Sequence, residues 1–182
     1  MITIVEPHAD DAFLSLGGHI EQWIKEGVSV KILTVYSGTR KRAKDAQAYA
    51  RAMGCAWEGL GFIEDGGGAA GGTGELPDGA LYDVADGEKI LAPLGISHPE
   101  HALVRSRFPA SRFYLDQPYA SQCKNREEVN QKLINTQVLS FMRPNARKYR
   151  HIPLFKDQAK FFYYNPSDVL KYNIELIVED VL

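Results

Sequence analysis

Two hydrophobic periods alternate along this chain. Ile2-Thr3-Ile4-Val5 is a short apolar run that predicts a β-strand. From Ala12 to Lys25, Phe13, Leu16, Ile20, Trp23 and Ile24 return at helical spacing, with Asp10 or Asp11 near the N-cap. Gly17-Gly18 weakens that helix unless the backbone there must approach the sheet or a site closely, and Gly27 is placed to end it. Val28 to Tyr36 predicts a well-buried second strand, Arg40 to Met53 an Ala-rich helix stopped by Gly54, and Ala56 to Ile63 a weaker strand. Ile90 to Leu94 predicts a fourth strand and Glu100 to Arg107 a helix. This β-α-β-α-β order predicts an α/β domain with a parallel sheet and right-handed crossovers.

Beyond residue 107 the pattern loosens. Arg112 to Leu115 reads as a strand, Arg126 to Met142 and Lys156 to Tyr164 as helices, and Asn173 to Val178 as a late strand at a sheet edge. Neither an internal repeat nor a dividing linker is present, so residues 1–182 are read as one domain. The Gly-rich stretch from Asp65 to Gly74 lacks the Gly-Lys-Ser/Thr ending of a phosphate-cradling loop. Its two open readings are a loop over a pocket mouth and a plain surface connection.

Composition changes this picture only by exclusion. A formal net charge of -2 and the absence of any basic run argue against nucleic-acid partners and polybasic membrane contacts. No apolar stretch is long enough to cross a bilayer, and the N-terminus shows no secretory signal pattern, which predicts a cytoplasmic protein. The two cysteines, Cys55 and Cys123, lie too far apart in sequence for a CxxC pair and are read as free thiols. Homo-oligomerisation is left open.

Candidate chemistry concentrates at the end of the first strand. Glu6-Pro7-His8-Ala9-Asp10-Asp11 places an imidazole and two carboxylates where open α/β sheets build their sites, at the carboxyl ends of strands. His8 and Asp11, three apart in a turn, can converge on one ion, while Asp10 points toward that ion's water. A catalytic zinc site usually needs a third protein ligand, and His101 of His98-Pro99-Glu100-His101 is the best candidate. The loop after strand four lies beside the loop after strand one in a doubly wound sheet. Asp10 is then read as general base and His98 as donor to the oxyanion or leaving amine. Taken singly, these residues have ordinary alternatives: a helix cap for Asp10 or Asp11, and a hydrogen-bonded loop or surface position for each histidine. His19 and His151 have no carboxylate-rich sequence neighbourhood and are read as structural or surface residues.

Pro7-His8-Ala9-Asp10-Asp11 followed by Ser15-Leu16-Gly17-Gly18 resembles the opening motif of the PIG-L/LmbE-like zinc N-deacetylase family, (A/P)HPDDE and a later Gly-Gly. Pro93-Leu94-Gly95-Ile96 with His98-Pro99-Glu100-His101 is similar to its second motif, HxDH. The similarity runs from about residue 2 to 107 and continues weakly through Phe113-Tyr114-Leu115-Asp116-Gln117-Pro118-Tyr119. It implies a Rossmann-like, mostly parallel sheet and removal of an acetyl group from an N-acetylhexosamine-containing or related small molecule. It also implies His8, Asp11 and His101 as ligands of Zn2+, Asp10 as general base and His98 as oxyanion donor. Ala9, Ala12 and Glu100 depart from the motif, and none of them is a proposed ligand or base. Fe2+ or Co2+ would also suit such donors. Arg40, Arg42, Arg105 and Tyr114 are candidate substrate contacts, against the plainer readings of surface charge and core packing. Two other functions stay in view, a zinc amidase of a non-sugar amide and a non-catalytic binding module with the same fold.

Overall fold

The computed structural model describes residues 1–63, 76, 88–122, 125–143 and 174–181. Seven strands form one sheet: β1 (Ile2–Glu6), β2 (Val30–Thr34), β3 (Ala56–Gly59), β4 (Lys89–Pro93), β5 (Arg112–Tyr114), β6 (Thr136–Met142) and β7 (Glu175–Asp180). Their spatial order is β3-β2-β1-β4-β5-β7-β6. The pairs β1–β2, β1–β4, β2–β3 and β4–β5 are parallel, whereas β7 pairs antiparallel with both β5 and β6. Chain order therefore reverses between β1 and β4, and the loops leaving those two strands diverge around a crevice.

Neighbouring residues in each strand serve opposite faces. Ile4, Ile32, Leu91, Tyr114 and Ile177 pack with Phe13, Leu16 and Ile20 of α1 (Asp11–Lys25) and Tyr49 and Ala50 of α2 (Arg40–Met53). Val5, Leu33 and Ile90 face Val104 of α3 (Pro99–Arg107), and Phe113 and Val178 join Leu94, Ile96 and Ala120 of α4 (Tyr119–Gln122). A sheet covered on both faces explains why β1, β2 and β4 read as near-continuous apolar runs.

The helix ends follow their glycines. Gly27 and Gly54 both adopt positive φ, 76° and 77°, just past α1 and α2. At the start of α1, Asp10 is the N-cap residue but makes no side-chain capping bond. Glu6 supplies it instead: its Oε2 accepts from the Ala12 amide at 3.0 Å, and its Oε1 accepts from the Thr34 hydroxyl at 2.7 Å.

Two sequence expectations fail after residue 125. The helix expected over Arg126 to Met142 stops at Leu133, where α5 (Arg126–Leu133) gives way to β6. Residues 136–142 carry β-branched and aromatic side chains, and pairing with β7 overrides the helical pattern of the preceding turn. The last strand is not at an edge, because β7 lies between β5 and β6 and leaves β6 outermost. The helix expected over 156–164, the Gly-rich stretch 65–74, Cys123 and His151 lie outside the described residues. Among the described residues no helix is long and apolar enough to cross a membrane.

Candidate active site

The crevice between the β1 and β4 loops receives the two motifs. His8, Asp10 and Asp11 leave β1 in a tight turn closed by the Asp11 amide donating to the His8 carbonyl at 3.2 Å. His98 is the N-cap residue of α3, and Pro99 and Glu100 open the helix, which turns His101 inward until it is fully buried. Asp11 Oδ2 accepts the His8 amide at 2.8 Å and lies 3.2 Å from both His8 Nδ1 and His101 Nε2.

That spacing is informative. Ligands about 2.0–2.1 Å from a tetrahedral ion sit roughly 3.3 Å from one another, close to the observed separations. His101 Nε2 is buried and makes no hydrogen bond, although Asp11 Oδ2 is 3.2 Å away. An orphaned imidazole nitrogen beside a carboxylate oxygen is what a metal site presents when its donors are arranged for an ion. His8, His98 and His101 also offer ring nitrogens that all lie within 4.8 Å of one another. The donor set therefore suits a divalent metal, with Asp11 at tighter ligand spacing than His98.

Outer partners fix the donors. His101 Nδ1 donates to Asp116 Oδ1 at 2.6 Å, and Asp116 Oδ2 accepts the amides of Gly95 and Ile96 at 2.8 and 3.2 Å. This carboxylate commits Nδ1–H to itself and turns Nε2 toward Asp11, the arrangement found behind metal-bound histidines. Glu100 Oε2 lies 2.8 Å from His8 Nε2 and serves His8 in the same way. Tyr36 stacks on the His8 ring, and Tyr119 meets His98 and His101 edge-on at 4.9 and 5.0 Å.

Electrostatics separates the two aspartates. Burial pushes the Asp10 carboxyl up to about 7, with the Asp11 charge adding to the rise and His8 and Arg42 opposing it. Burial also works on Asp11, but His101 and His8 outweigh it and hold that carboxyl well below the usual range. Burial alone would lower His101, yet Asp11 and Asp116 raise it to about 9. His98 is lowered, first by burial and then by the charges of His101 and His8. Adjacent carboxylates in one turn thus take opposite protonation behaviour, the usual basis for dividing acid–base and ligand roles.

The remaining sequence candidates are distributed unevenly. Arg42, in the first turn of α2, is near enough for its charge to act on Asp10, whereas Arg40 is exposed. Arg105 donates to the Leu94 carbonyl at 2.9 Å and lies 4.1 Å over the Phe113 ring, a packing position. Tyr114 is fully buried and its hydroxyl donates to the Val5 carbonyl, so it tethers β5 to β1 rather than lining an open surface. Sequence reasoning assigned no role to Asp116, Glu100 or Glu6. The bond between Asp116 and His101 spans 15 residues, and that between Glu100 and His8 spans 92. The position of Asp116 just beyond β5, another strand end, and its place inside the weakly similar Phe113 to Tyr119 segment were the signals that pointed to it.

No protein-family profile matches the sequence, and no curated protein does. Solved structures do match the fold. The antimicrobial A40926 pseudoaglycone deacetylase Dbv21 aligns at 15% identity and TM-score 0.66, covering 100% of this chain and 96% of that one. The zinc-inhibited form of teicoplanin deacetylase Orf2 aligns at 17% identity and TM-score 0.68, covering 100% and 97%. GalB, a 4-carboxy-2-hydroxymuconate hydratase from Pseudomonas putida, aligns at 14% and TM-score 0.56, covering 94% and 82%. The chain thus has the fold of deacetylases of the LmbE/PIG-L type, the family its two motifs resemble.

Proposed function

We propose that this chain is a metal-dependent N-deacetylase that hydrolyses the acetamide of an N-acetylhexosamine-containing or related small molecule. On this reading it is a Rossmann-like, mostly parallel domain with its site at the carboxyl ends of the strands. The observation that carries the proposal is the convergence of His8 Nδ1, Asp11 Oδ2 and His101 Nε2 at ligand spacing, with Asp10 in the same turn. These three residues would hold the ion, zinc in the first instance, with Fe2+ or Co2+ also compatible with the donors. A divalent ion held there would polarise the amide carbonyl and lower the pKa of a water to about 7.

Asp10 takes the proton of the attacking water. Its carboxyl, pushed up to about 7, is both substantially ionised at neutral pH and basic enough to accept that proton. His98 donates an N–H to the developing oxyanion and helps the amine depart. Its half-buried ring next to His101 and Tyr119 keeps that donor at the crevice wall. Glu100 and Asp116 orient His8 and His101, and Arg42 is the cation best situated to meet an anionic or hydroxylated part of the substrate. Tyr36 and Tyr119, not Tyr114, are the tyrosines beside the donors.

The same fold in a hydratase means that fold alone does not choose the reaction, so the test must read the product. Metal-replete protein is expected to release acetate from at least one member of a panel of N-acetylated amino sugars. Asp10→Asn should cut that rate by roughly 100-fold or more while metal content is retained. Acetate from non-sugar amides alone would move the substrate class to another amide. Metal-replete protein that releases no acetate from any amide would overturn the proposal.

A further inference from the structure

Eight residues along α1 from Asp11, about 12 Å by helix rise, a second polar constellation is buried under the β6–β7 pair. Ser140 Oγ lies 2.9 Å from His19 Nε2, and His19 Nδ1 lies 2.9 Å from Glu175 Oε2. Glu175 is fully buried and also accepts the amides of Gly18 and His19 at 2.9 and 3.0 Å. A carboxylate surrounded by N–H donors stays an acceptor, so Nδ1 of His19 carries the proton. Its Nε2 then presents a lone pair to the Ser140 hydroxyl. Nucleophile, base and orienting carboxylate stand in the order that activates serine.

The strand itself is altered to aim the serine. Val138 pairs with Val178, and an unbroken antiparallel ladder would set Leu139 opposite Ile177. A register shift between Val138 and Ser140 sets Ser140 opposite Ile177 instead, on the face that packs against α1. Gly18 permits the approach, since a Cβ there would lie 3.1 and 3.2 Å from the Glu175 oxygens and 2.5 Å from Met142 Sδ. Ser140 and Met142 are half-buried on one side of β6, and the half-buried Trp23 ring lies 5.5 Å from His19, an apolar neighbour for the imidazole.

We propose that Ser140, His19 and Glu175 form a second, metal-independent acyl-transfer site for small activated esters. Ser140 Oγ attacks the acyl carbon and its proton passes to His19 Nε2. The bond from carbon to the leaving oxygen then breaks, and the departing oxygen takes that proton. Water hydrolyses the acyl-serine by the same route, returning a carboxylic acid and the free hydroxyl, with Glu175 holding His19 Nδ1 throughout.

When the chelator-treated 182-residue chain is exposed to a fluorophosphonate, Ser140 Oγ is expected to displace fluoride from the reagent's phosphorus, the hydroxyl proton leaving through His19, and the phosphonyl group on Ser140 is located by peptide mass spectrometry. Hydrolysis of p-nitrophenyl acetate should proceed at one rate with or without chelator, vanish in Ser140→Ala, and fall about 100-fold in His19→Gln. Wild-type protein without an adduct on Ser140 overturns the assignment, whether or not the variants fold. So does a folded His19→Gln protein labelled at the wild-type rate. Because the metal is removed, neither result depends on the deacetylase reading.

Discussion

Asp116 is the residue through which the candidate metal centre is tied to the sheet. It takes two backbone amides from the turn after β4 with one oxygen and the His101 ring with the other. Asp116→Asn keeps an amide oxygen but weakens its hold on Nδ1–H, so metal affinity should fall about 10- to 100-fold, read by competition against a chelator. Unchanged affinity would mean that α3 packing alone aims His101. His8, Asp10, Asp11, His98 and His101 were legible in the sequence because each stands inside a short motif. Asp116 and Glu100 were not assigned, because their partners meet only when β1, β4 and β5 align. Glu6 was hidden for another reason. A carboxylate buried in a strand and pushed up to about 8 has no local pattern to announce it.

At the level of elements, the parallel half was readable, whereas in the antiparallel half β7 was read as a strand but β6 and the edge position were not. α2 begins and ends where its Ala-rich pattern and Gly54 predict. Gly54 tests that reading directly. A Cβ there would meet only Ile24 Cγ2 at 3.7 Å, an ordinary contact, so Gly54→Ala is strained by its φ of 77° rather than by crowding. The loss should be about 1–2 kcal/mol, seen as a lower urea midpoint with an unchanged slope. β6 was misread because the short α5 supplies helical spacing up to Leu133, and Val138, Leu139 and Phe141 extend an apolar pattern that either structure could use. Only the partner strand decides, and β7 lies more than thirty residues further on.

For the whole molecule, the donors of the candidate centre come from the turn after β1 and the first turns of α1 and α3, which the reversal of strand order places across one crevice, so an ion there would bridge the β1 and β4 units. Metal that binds the native chain and not the unfolded one stabilises it by about 2.7 kcal/mol at a hundredfold excess over Kd. For a chain of this size that amounts to roughly 5–10 °C in Tm. Chelator-stripped protein is therefore expected to melt that much lower and to recover on addition of zinc, with Fe2+ and Co2+ ranked by the same scan. Equal melting points with and without metal would count against a site shared by His8, Asp11 and His101.

The bonds from Gly18 and His19 to Glu175 also set a schedule for the chain's birth. They join residues 157 and 156 positions apart. At ribosomal speeds of about 5–20 residues per second, α1 leaves the exit tunnel roughly 8–30 s before the carboxylate it must meet. Through that interval its glycine pair stays without the strand that holds it. A nascent chain arrested before Glu175 should accordingly be digested by protease at α1, whereas one released after β7 should resist.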